Sequence, residues 1–482
     1  MAAKKMFNLL KNNKTMENNI YLRTVIAICK TKNSIKTAFV LLLAMLLQSA
    51  TVHAQEMIRS MEGSATDFTL ARISTPFQQW IVYNENANMS LFGRMDTSGL
   101  ANVFVKTDPQ IHVKDMELSG GILYFCGNMS DNSAKGEVGV MGFFKIADLS
   151  SPSTMQISYI KFKEFKELRK LTYYATSLTK HVPMVGTGAD GRDYIVDVFY
   201  GGIEPSMNYW RREWMYIPNI DAEFDDIACI KDYVVVSSRI ENETEVQMCF
   251  IPKTGLEGRA FFSPALFVDM VKVPDQPIGR VLLQKIIGND DVYAFYRHGS
   301  YLDACHFVGE QNLASCHIAI LHTLGYFPEY FELKDVCIDK NQDEISVLLR
   351  KVYAMAQYHQ ILHIPTLLPS IGGSVAGHEY SPYISYEPMS LCGGKDYHTV
   401  TMGRFMNNWG MARVVNSQFE ECSEHIQARV SQKDLANDPV PKKYAIIKAE
   451  TEVLPMNVTE LDLPVLFWCS DYARKDNENI NK

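Results

Sequence analysis

Apolar anchor residues recur along this chain at intervals of about 55 residues, and this repeat restricts the possible folds more than any other feature. Each anchor opens a short apolar run that follows a polar or acidic lead. Successive anchors are 55, 56, 56, 53 and 53 residues apart. The anchors are Met116, Leu171, Ile227, Leu283, Val336 and Met389. Self-similarity at such a period indicates a repeat architecture.

Each repeat is composed of short runs that favour β-strands. The repeat anchored at Ile227 contains four runs rich in Val, Ile, Phe and Tyr, which are IACI, YVVVSS, EVQMCFI and ALFVDMV. Polar or glycine-containing turns, such as Gly120-Gly121, separate runs of this kind. Helical periodicity is weak after the N-terminal leader, and 162–173 is the stretch that could form a short helix.

Four antiparallel strands in each interval are typical of one blade of a β-propeller. A lone four-stranded sheet has two apolar faces, and a closed ring of sheets buries both. We therefore predict an all-β fold over residues 55–470, a single β-propeller of seven blades with four antiparallel strands each. Segments 68–105 and 444–469 are incomplete alone, and strands from both termini are expected to close the ring as a seventh blade. Six or eight blades and a pair of β-sandwiches are the alternatives.

The first 54 residues have the pattern of a secretory signal peptide with a long N-terminal region. Three lysines precede an apolar run of ten residues, AFVLLLAMLL, and small residues follow at Val52 and Ala54. Cleavage is expected between Ala54 and Gln55. A membrane anchor is the alternative, but ten helical residues span only about 15 Å, half of a bilayer core. The chain is therefore predicted to be exported to the periplasm, the cell surface or the medium, with no transmembrane segment in its mature part and a polar tail at 471–482.

The charge balance excludes some classes of partner. The net charge is −8, and the mature region has neither a basic stripe nor a Lys/Arg cluster, which argues against nucleic acid as a partner. The sequence also lacks the motif of a nucleophile elbow and that of a phosphate-binding loop. We predict no cofactor, no metal and no catalytic residue.

Acidic residues recur just before several anchors and are candidates for the mouth of a central channel. A carboxylate there could bind a cation or take part in glycoside hydrolysis. The alternative is that each aspartate caps a turn through its own backbone. The candidates are Asp115, Asp225, Asp226 and Asp335.

The segment YWRREWMY has the composition of a recognition site. We place it in a long connection between strands, where two Trp and two Arg would suit a protein or sugar partner. The alternative is that the two Trp side chains pack between blades. The candidate ligand-binding residues are Trp210, Arg211, Arg212 and Trp214.

Cysteines offer two disulfides, which an oxidising compartment permits. Cys305 is predicted to pair with Cys316, and Cys422 with Cys469. The Cys305-His306 and Cys316-His317 pairs also contain soft and imidazole ligands that could hold Zn²⁺, but a disulfide or two buried thiols is the simpler interpretation.

Two stretches carry a resemblance to a known group of proteins. Residues 114–149, which begin KDMELSGGILYFCGN, and residues 225–238, DDIACIKDYVVVSS, resemble exported, uncharacterised β-propeller-like proteins of Bacteroidetes. The resemblance implies a periplasmic or cell-surface protein and supplies no catalytic residues. The expected function is therefore that of an exported, non-enzymatic binding or scaffold propeller that recognises a protein or glycan. A carbohydrate-active enzyme, a hydrolase or lyase with carboxylates at the channel mouth, is the alternative.

Overall fold

A computed structural model of the protein describes residues within 55–466, in segments separated by breaks of which the longest are 254–265, 308–317 and 433–444. The predicted signal peptide and the predicted polar tail lie outside the described residues. Within the described segments, no helix has both the length and the apolar character needed to cross a membrane.

The described part of the chain is all-β, as the sequence predicts. Its strands are rich in β-branched and aromatic residues, which suit a pleated surface buried on both faces. The helical elements in these segments are two short 3₁₀ turns, η1 (Ile146–Ser150) and η2 (Pro152–Thr154).

Most strands form antiparallel meanders in which consecutive strands pair. Strand β1 (Gln55–Glu62) precedes them. Meander 1 contains β2 (Asp67–Leu70), β3 (Gln79–Asn86), β4 (Met89–Asp96) and β5 (Val103–Asp108). Meander 2 contains β6 (His112–Ser119), β7 (Ile122–Asp131), β8 (Gly136–Lys145) and β9 (Ile157–Phe162). Meander 3 contains β10 (Phe165–Leu171), the short β11 (Tyr174–Ala175), β12 (Thr179–Gly188), β13 (Asp193–Gly201) and β14 (Trp210–Tyr216).

The later meanders follow the same plan. Meander 4 contains β15 (Ala222–Cys229), β16 (Tyr233–Ile240), β17 (Glu245–Pro252) and β18 (Leu266–Lys272). Meander 5 contains β19 (Leu282–Ile286), β20 (Asp291–His298), β21 (Tyr301–Phe307) and β22 (Ile318–Tyr326). Meander 6 contains β23 (Tyr330–Ile338), β24 (Glu344–Tyr353), β25 (Ala356–Pro365) and β27 (Glu379–Tyr380), and β26 (Ser374–Val375) lies between the last two in the chain. Meander 7 contains β28 (Glu387–Gly393), β29 (His398–Phe405) and β30 (Asn408–Val415).

The N-terminal strand completes the last meander. Strand β1 pairs antiparallel with β30 along its whole length, from Gln55 opposite Val414 to Glu62 opposite Asn408. Meander 7 thereby acquires a fourth strand from the opposite end of the chain.

The last strands of the chain pair with the outer edges of several meanders, and we call them the C-terminal belt. They are β31 (Glu420–Glu421), β32 (Ile426–Gln432), β33 (Ala445–Glu450), β34 (Val453–Leu461) and β35 (Val465–Leu466). Strand β31 pairs with β27 of meander 6, β32 with β22 of meander 5, and β33 with β14 of meander 3. Strand β34 pairs with both β9 of meander 2 and β5 of meander 1, and β35 pairs with β1.

The first strands of the meanders contact one another in succession. Strand β2 contacts β6, β6 contacts β10, and the contacts continue through β15, β19, β23 and β28. Strand β28 in turn contacts β2. Side chains of neighbouring meanders fill the space between them, as where Phe92 lies 4.9 Å from Phe125 between ring centroids.

Two local predictions were wrong. Residues 162–173 do not form a helix, because Phe165–Leu171 is strand β10, which pairs with β12. Residues 68–105 are not an incomplete half of a blade, because they lie in a four-stranded meander of their own. Strand β34, which lies within 444–469, pairs with β5 of that meander and also with β9 of meander 2, so the C-terminal segment joins two meanders instead of completing one blade. The strand that completes the last meander is β1, upstream of the segment that the sequence suggested.

Candidate functional site

The recurrent acidic residues lie at the junctions between neighbouring meanders. Asp226 Oδ2 accepts a hydrogen bond from the backbone N–H of Leu283 at 2.9 Å, and Asp335 Oδ2 accepts one from that of Leu391 at 2.8 Å. The partners are 57 and 56 residues apart. The repeat interval of the sequence is therefore the number of residues between equivalent positions in neighbouring meanders. By this criterion the last anchor is Leu391, two residues after the predicted Met389.

Asp115 and Asp225 make junctions of the same kind. Asp115 Oδ2 accepts a hydrogen bond from the N–H of Leu171 at 3.1 Å, and its Oδ1 lies 3.4 Å from the ammonium group of Lys170. Asp225 Oδ2 accepts a hydrogen bond from the N–H of Val281 at 3.0 Å.

A β-bulge positions three of these side chains. The strand register shifts immediately before Asp115, Asp226 and Asp335, and a bulge of this kind redirects the side chain that follows it. The second oxygens of Asp226 and Asp335 accept hydrogen bonds from the N–H of the next residue in each case, Ile227 and Val336. These hydrogen bonds give the carboxylates a structural role. A role at the mouth of a channel stays a prediction.

An ion pair joins first strands that are far apart in the chain. Lys285 Nζ in β19 lies 3.2 Å from Glu117 Oε1 in β6, across 168 residues of sequence. The charged groups of meanders 2 and 5 therefore meet, although two other meanders separate them in the chain.

The Trp/Arg segment forms strand β14 and not a loop, which corrects the prediction. Trp210 is 5% exposed, and its ring stacks on Phe143 at 4.8 Å and lies 4.4 Å from Tyr200. Arg212 donates hydrogen bonds to the carbonyl of Lys161 and to Glu164. Trp210 and Arg212 therefore pack between meanders 2 and 3, which is the alternative that the sequence left open. Arg211 is exposed, and Trp214 belongs to the strand, with its side chain outside the described part.

The predicted disulfides are not tested by the described residues. Cys305 is a free thiol, fully buried in β21, and burial raises the pKa of its thiol. Cys316, Cys422 and Cys469 lie outside the described residues, so both pairings stay predictions. Among the described side chains, no group of three His, Cys, Asp or Glu residues could hold a metal ion.

Three exposed tyrosines at one end of meander 5 and the start of meander 6 form the candidate site. Their exposed fractions are 41% for Tyr301, 48% for Tyr326 and 51% for Tyr330. Together with two basic neighbours we call them the tyrosine patch, which consists of Arg297, His298, Tyr301, Tyr326 and Tyr330. No sequence motif indicates this group, because its members come from the ends of four separate strands.

The strand register divides the patch into two subsites. Tyr301 pairs with both His298 and Tyr326, and directly paired residues point to the same face of a sheet. The rings of Tyr301 and Tyr326 lie 5.1 Å apart. Arg297 precedes His298 in the strand and so points to the opposite face. There its guanidinium lies 4.7 Å from the ring centre of Tyr330.

Buried contacts hold the two turns of the patch in place. Phe327, between Tyr326 and Tyr330, is buried and packs against Phe331 at 4.9 Å. Its backbone N–H donates to the carbonyl of Ser300 at 2.7 Å, which ties one turn to the other. Gly299 has a φ of +58°, a conformation that favours glycine. The patch is thus preorganised, which lowers the entropic cost of binding.

A buried carboxylate orients the histidine of the patch. Asp303, which is buried, lies 2.8 Å from Nδ1 of His298. The Nε2 atom of His298 is then left for other partners. The ring centroids of His298 and Tyr301 lie 6.1 Å apart, so this imidazole is a neighbour of the exposed Tyr301.

A second group of polar side chains is arranged like a catalytic triad, but aromatic rings cover its histidine. His181 Nδ1 lies 2.7 Å from Asp197, and its Nε2 lies 2.7 Å from the hydroxyl of Thr179. Tyr174 and Phe199 stack on the His181 ring, with ring centroids 4.6 and 5.2 Å away. The Thr179 hydroxyl also bonds to a second threonine. We interpret this group as a structural clamp within meander 3.

Comparisons with known proteins give few relatives. No family model matches the chain, and no curated protein matches it. The chain is similar to a structure from a structural and mechanistic study of two prolyl endopeptidases, with 11% identity and a TM-score of 0.41, covering 80% of this chain and 51% of that one. It is also similar to oligopeptidase B from Leishmania major, with 11% identity and a TM-score of 0.36, covering 73% of this chain and 49% of that one. The chain thus spans about half the length of these structures. Likeness at this level assigns neither an activity nor a substrate to it.

Proposed function

We propose that the mature chain is a seven-bladed β-propeller in which meanders 1 to 7 are the blades. The contacts from β2 through β6, β10, β15, β19, β23 and β28 back to β2 support this proposal, because a cycle of first strands is what a closed ring requires. The pairing of β1 with β30 joins the two ends of the ring without a covalent link.

The order of contacts along the C-terminal belt supports the same ring independently. The belt pairs with meanders 6, 5, 3, 2 and 1 and then with β1, which lies in meander 7. A strand that follows the rim of a closed ring meets neighbouring blades in this cyclic order. No described strand of the belt pairs with meander 4.

The Glu117–Lys285 ion pair fits the centre of such a ring. In a ring of seven, meanders 2 and 5 are three positions apart and face each other across the channel. A direct contact of 3.2 Å between their first strands supports a narrow channel that charged side chains cross. A channel of this kind favours a binding surface on the rim over a catalytic pocket at the centre.

We further propose that this propeller is an exported binding protein that recognises a glycan through the tyrosine patch. The observation that carries the proposal is the group of three exposed tyrosines beside Arg297 and His298. Aromatic faces with polar edges suit sugars, which have apolar C–H faces and hydroxyl groups around their rim. Three of the six large exposed apolar residues of the described part belong to this patch; the six are Leu178, Tyr301, Tyr326, Tyr330, Tyr358 and Leu367.

Binding without catalysis is the form of this function that the contacts favour. The recurrent aspartates, which are the carboxylates that the sequence offers as candidates for hydrolysis, accept backbone hydrogen bonds at the junctions. Export is proposed from the leader pattern of the sequence.

The proposal is tested by applying the exported protein to a printed panel of neutral and acidic oligosaccharides. We expect the wild type to bind some of them, and Tyr301→Ala and Tyr330→Ala to lose at least about tenfold in affinity, since each removes an exposed ring. Tyr358→Ala is the matched control, because Tyr358 is exposed but lies outside the patch. Equal loss in all three variants, or no binding by the wild type, would contradict the proposal.

A further inference from the structure

We infer that the ligand of the tyrosine patch is an acidic oligosaccharide, whose carboxylate or sulfate group lies on Arg297. This inference rests on the proposed function and adds the chemical class of the ligand.

The Arg297 side chain is held in place by an aromatic ring. Its guanidinium lies over the ring of Tyr330. Among the described residues it forms no ion pair, because the nearby carboxylate of Asp303 is buried on the other face of the strand and contacts His298. A guanidinium with five donors is thus held at a fixed place on the surface, and these donors match the oxygens of a carboxylate or sulfate group.

The positive charge of Arg297 suits an anionic ligand. The chain as a whole carries a net charge of −8, so a cation that no acidic group of the described residues neutralises is not needed for solubility. Stacking on Tyr330 holds the guanidinium in one orientation and leaves its edge available to a ligand. This arrangement favours an anion that arrives with the ligand.

The two subsites lie on opposite faces of the sheet, so one ligand must be long enough to reach both. His298, Tyr301 and Tyr326 lie on one face of the sheet, and Arg297 with Tyr330 lies on the other. A single sugar ring contacts one aromatic face at a time, whereas a chain of several sugars can pass over the sheet end and contact both. The subsite of Tyr301 and Tyr326 would stack a sugar ring, with His298 Nε2 bonding a hydroxyl, and Arg297 would bind the acidic group.

The experiment compares pairs of probes that differ only in charge. Oligogalacturonate is measured against its methyl ester, and a chondroitin sulfate oligosaccharide against its desulfated form, by calorimetry with the full protein. We expect the wild type to bind one acidic probe about tenfold more tightly than its neutral counterpart, and the preference to weaken as salt rises. The two pairs distinguish a carboxylate from a sulfate.

The variants separate this inference from the proposed function. Arg297→Met keeps an apolar side chain over Tyr330, and we expect it to bind both members of the preferred pair with equal, weak affinity. Tyr301→Ala should weaken both members and keep the preference. Equal binding of acidic and neutral probes by the wild type would overturn the inference and leave the glycan proposal in place. No binding of any sugar, or binding of a protein through these tyrosines instead, would overturn both.

Discussion

Asp226 and Leu283 lie 57 residues apart in the chain, and the carboxylate of the first accepts a hydrogen bond from the backbone N–H of the second at 2.9 Å. Asp335 and Leu391 repeat this relationship two meanders later. An aspartate suits the position because it reaches across the junction and can accept two hydrogen bonds at once. At each junction, a side chain of one sheet binds the backbone of the next sheet.

Removal of the Asp226 carboxylate is expected to destabilise the fold strongly. Asp226 is 1% exposed, so Asp226→Ala leaves two buried N–H groups, those of Ile227 and Leu283, without acceptors. We expect the free energy of unfolding to fall by about 2–4 kcal/mol. Urea unfolding measures it, and the exposed Glu452→Ala should change it by less than about 0.5 kcal/mol. Equal effects of both variants would rule out the junction as the cause.

Trp210 is expected to matter for stability and not for binding. Trp210→Ala removes a ring that packs on Phe143 and Tyr200, and core truncations of this size cost about 3–5 kcal/mol. The exposed neighbour Arg211→Ala is the control and should be close to neutral. Thermal unfolding measures stability, and the oligosaccharide panel measures binding. Loss of sugar binding in Arg211→Ala at unchanged stability would restore the sequence-based prediction of a site here.

Acid is expected to destabilise the protein partly through His322. This side chain is 0% exposed, and burial, with a smaller effect of His306, lowers its pKa to about 4 from about 6.5. The unfolded chain therefore binds more protons than the fold between those values, so stability is lost as the pH falls through this range. At pH 5 the loss relative to pH 7.5 is about 2 kcal/mol for this group.

The corresponding measurement is urea unfolding at both pH values. His322→Leu should reduce the difference between pH 7.5 and pH 5 by about 2 kcal/mol. His359 and His363 are also buried, and burial lowers their pKa values to about 4. These two side chains should cause the pH dependence of stability that remains in His322→Leu. An unchanged difference in His322→Leu would contradict the assignment. The exposed Tyr358→Leu serves as a control for the effect of substitution alone.

The C-terminal belt is expected to protect the edges of the meanders. A chain that stops after residue 442 lacks β33, β34 and β35 and exposes the edges of β14, β9 and β5. Exposed edges pair with other chains, so we expect lower stability, by about 3 kcal/mol or more from the lost strand hydrogen bonds, and self-association in light scattering. Removal of 471–482 alone should leave both unchanged. A monomeric truncated chain of full stability would contradict a protective belt.

Much of the fold could be predicted from the sequence because its signals are local. The period of about 55 residues and the runs of β-branched and aromatic residues indicated repeated four-stranded units, and Met116, Ile227 and Val336 each follow a junction aspartate in the structure. The Trp/Arg segment was misassigned, although Trp210, Arg212 and Trp214 alternate as in a strand. Its polar residues suggested a loop, but Arg212 is satisfied by Lys161 and Glu164 of another meander.

The candidate site was not accessible to sequence reasoning in the same way. Tyr301, Tyr326 and Tyr330 each look like ordinary strand-end residues, and their grouping depends on strand register and on the Phe327–Ser300 hydrogen bond. The belt was missed for a similar reason, since the partners of β34 lie in two different meanders.

The β character, the repeat length and the recurring polar positions follow from the amino-acid sequence alone, because strand propensity and periodicity act between near neighbours. The tertiary structure decided how the ends of the chain are used, which aspartates link neighbouring sheets, and which tyrosines meet at the surface. Those features depend on contacts between residues that lie from 25 positions apart, as Tyr301 and Tyr326 do, to 359 positions apart, as Gln55 and Val414 do. Such contacts form only when the meanders pack together, and no local pattern in the chain encodes them.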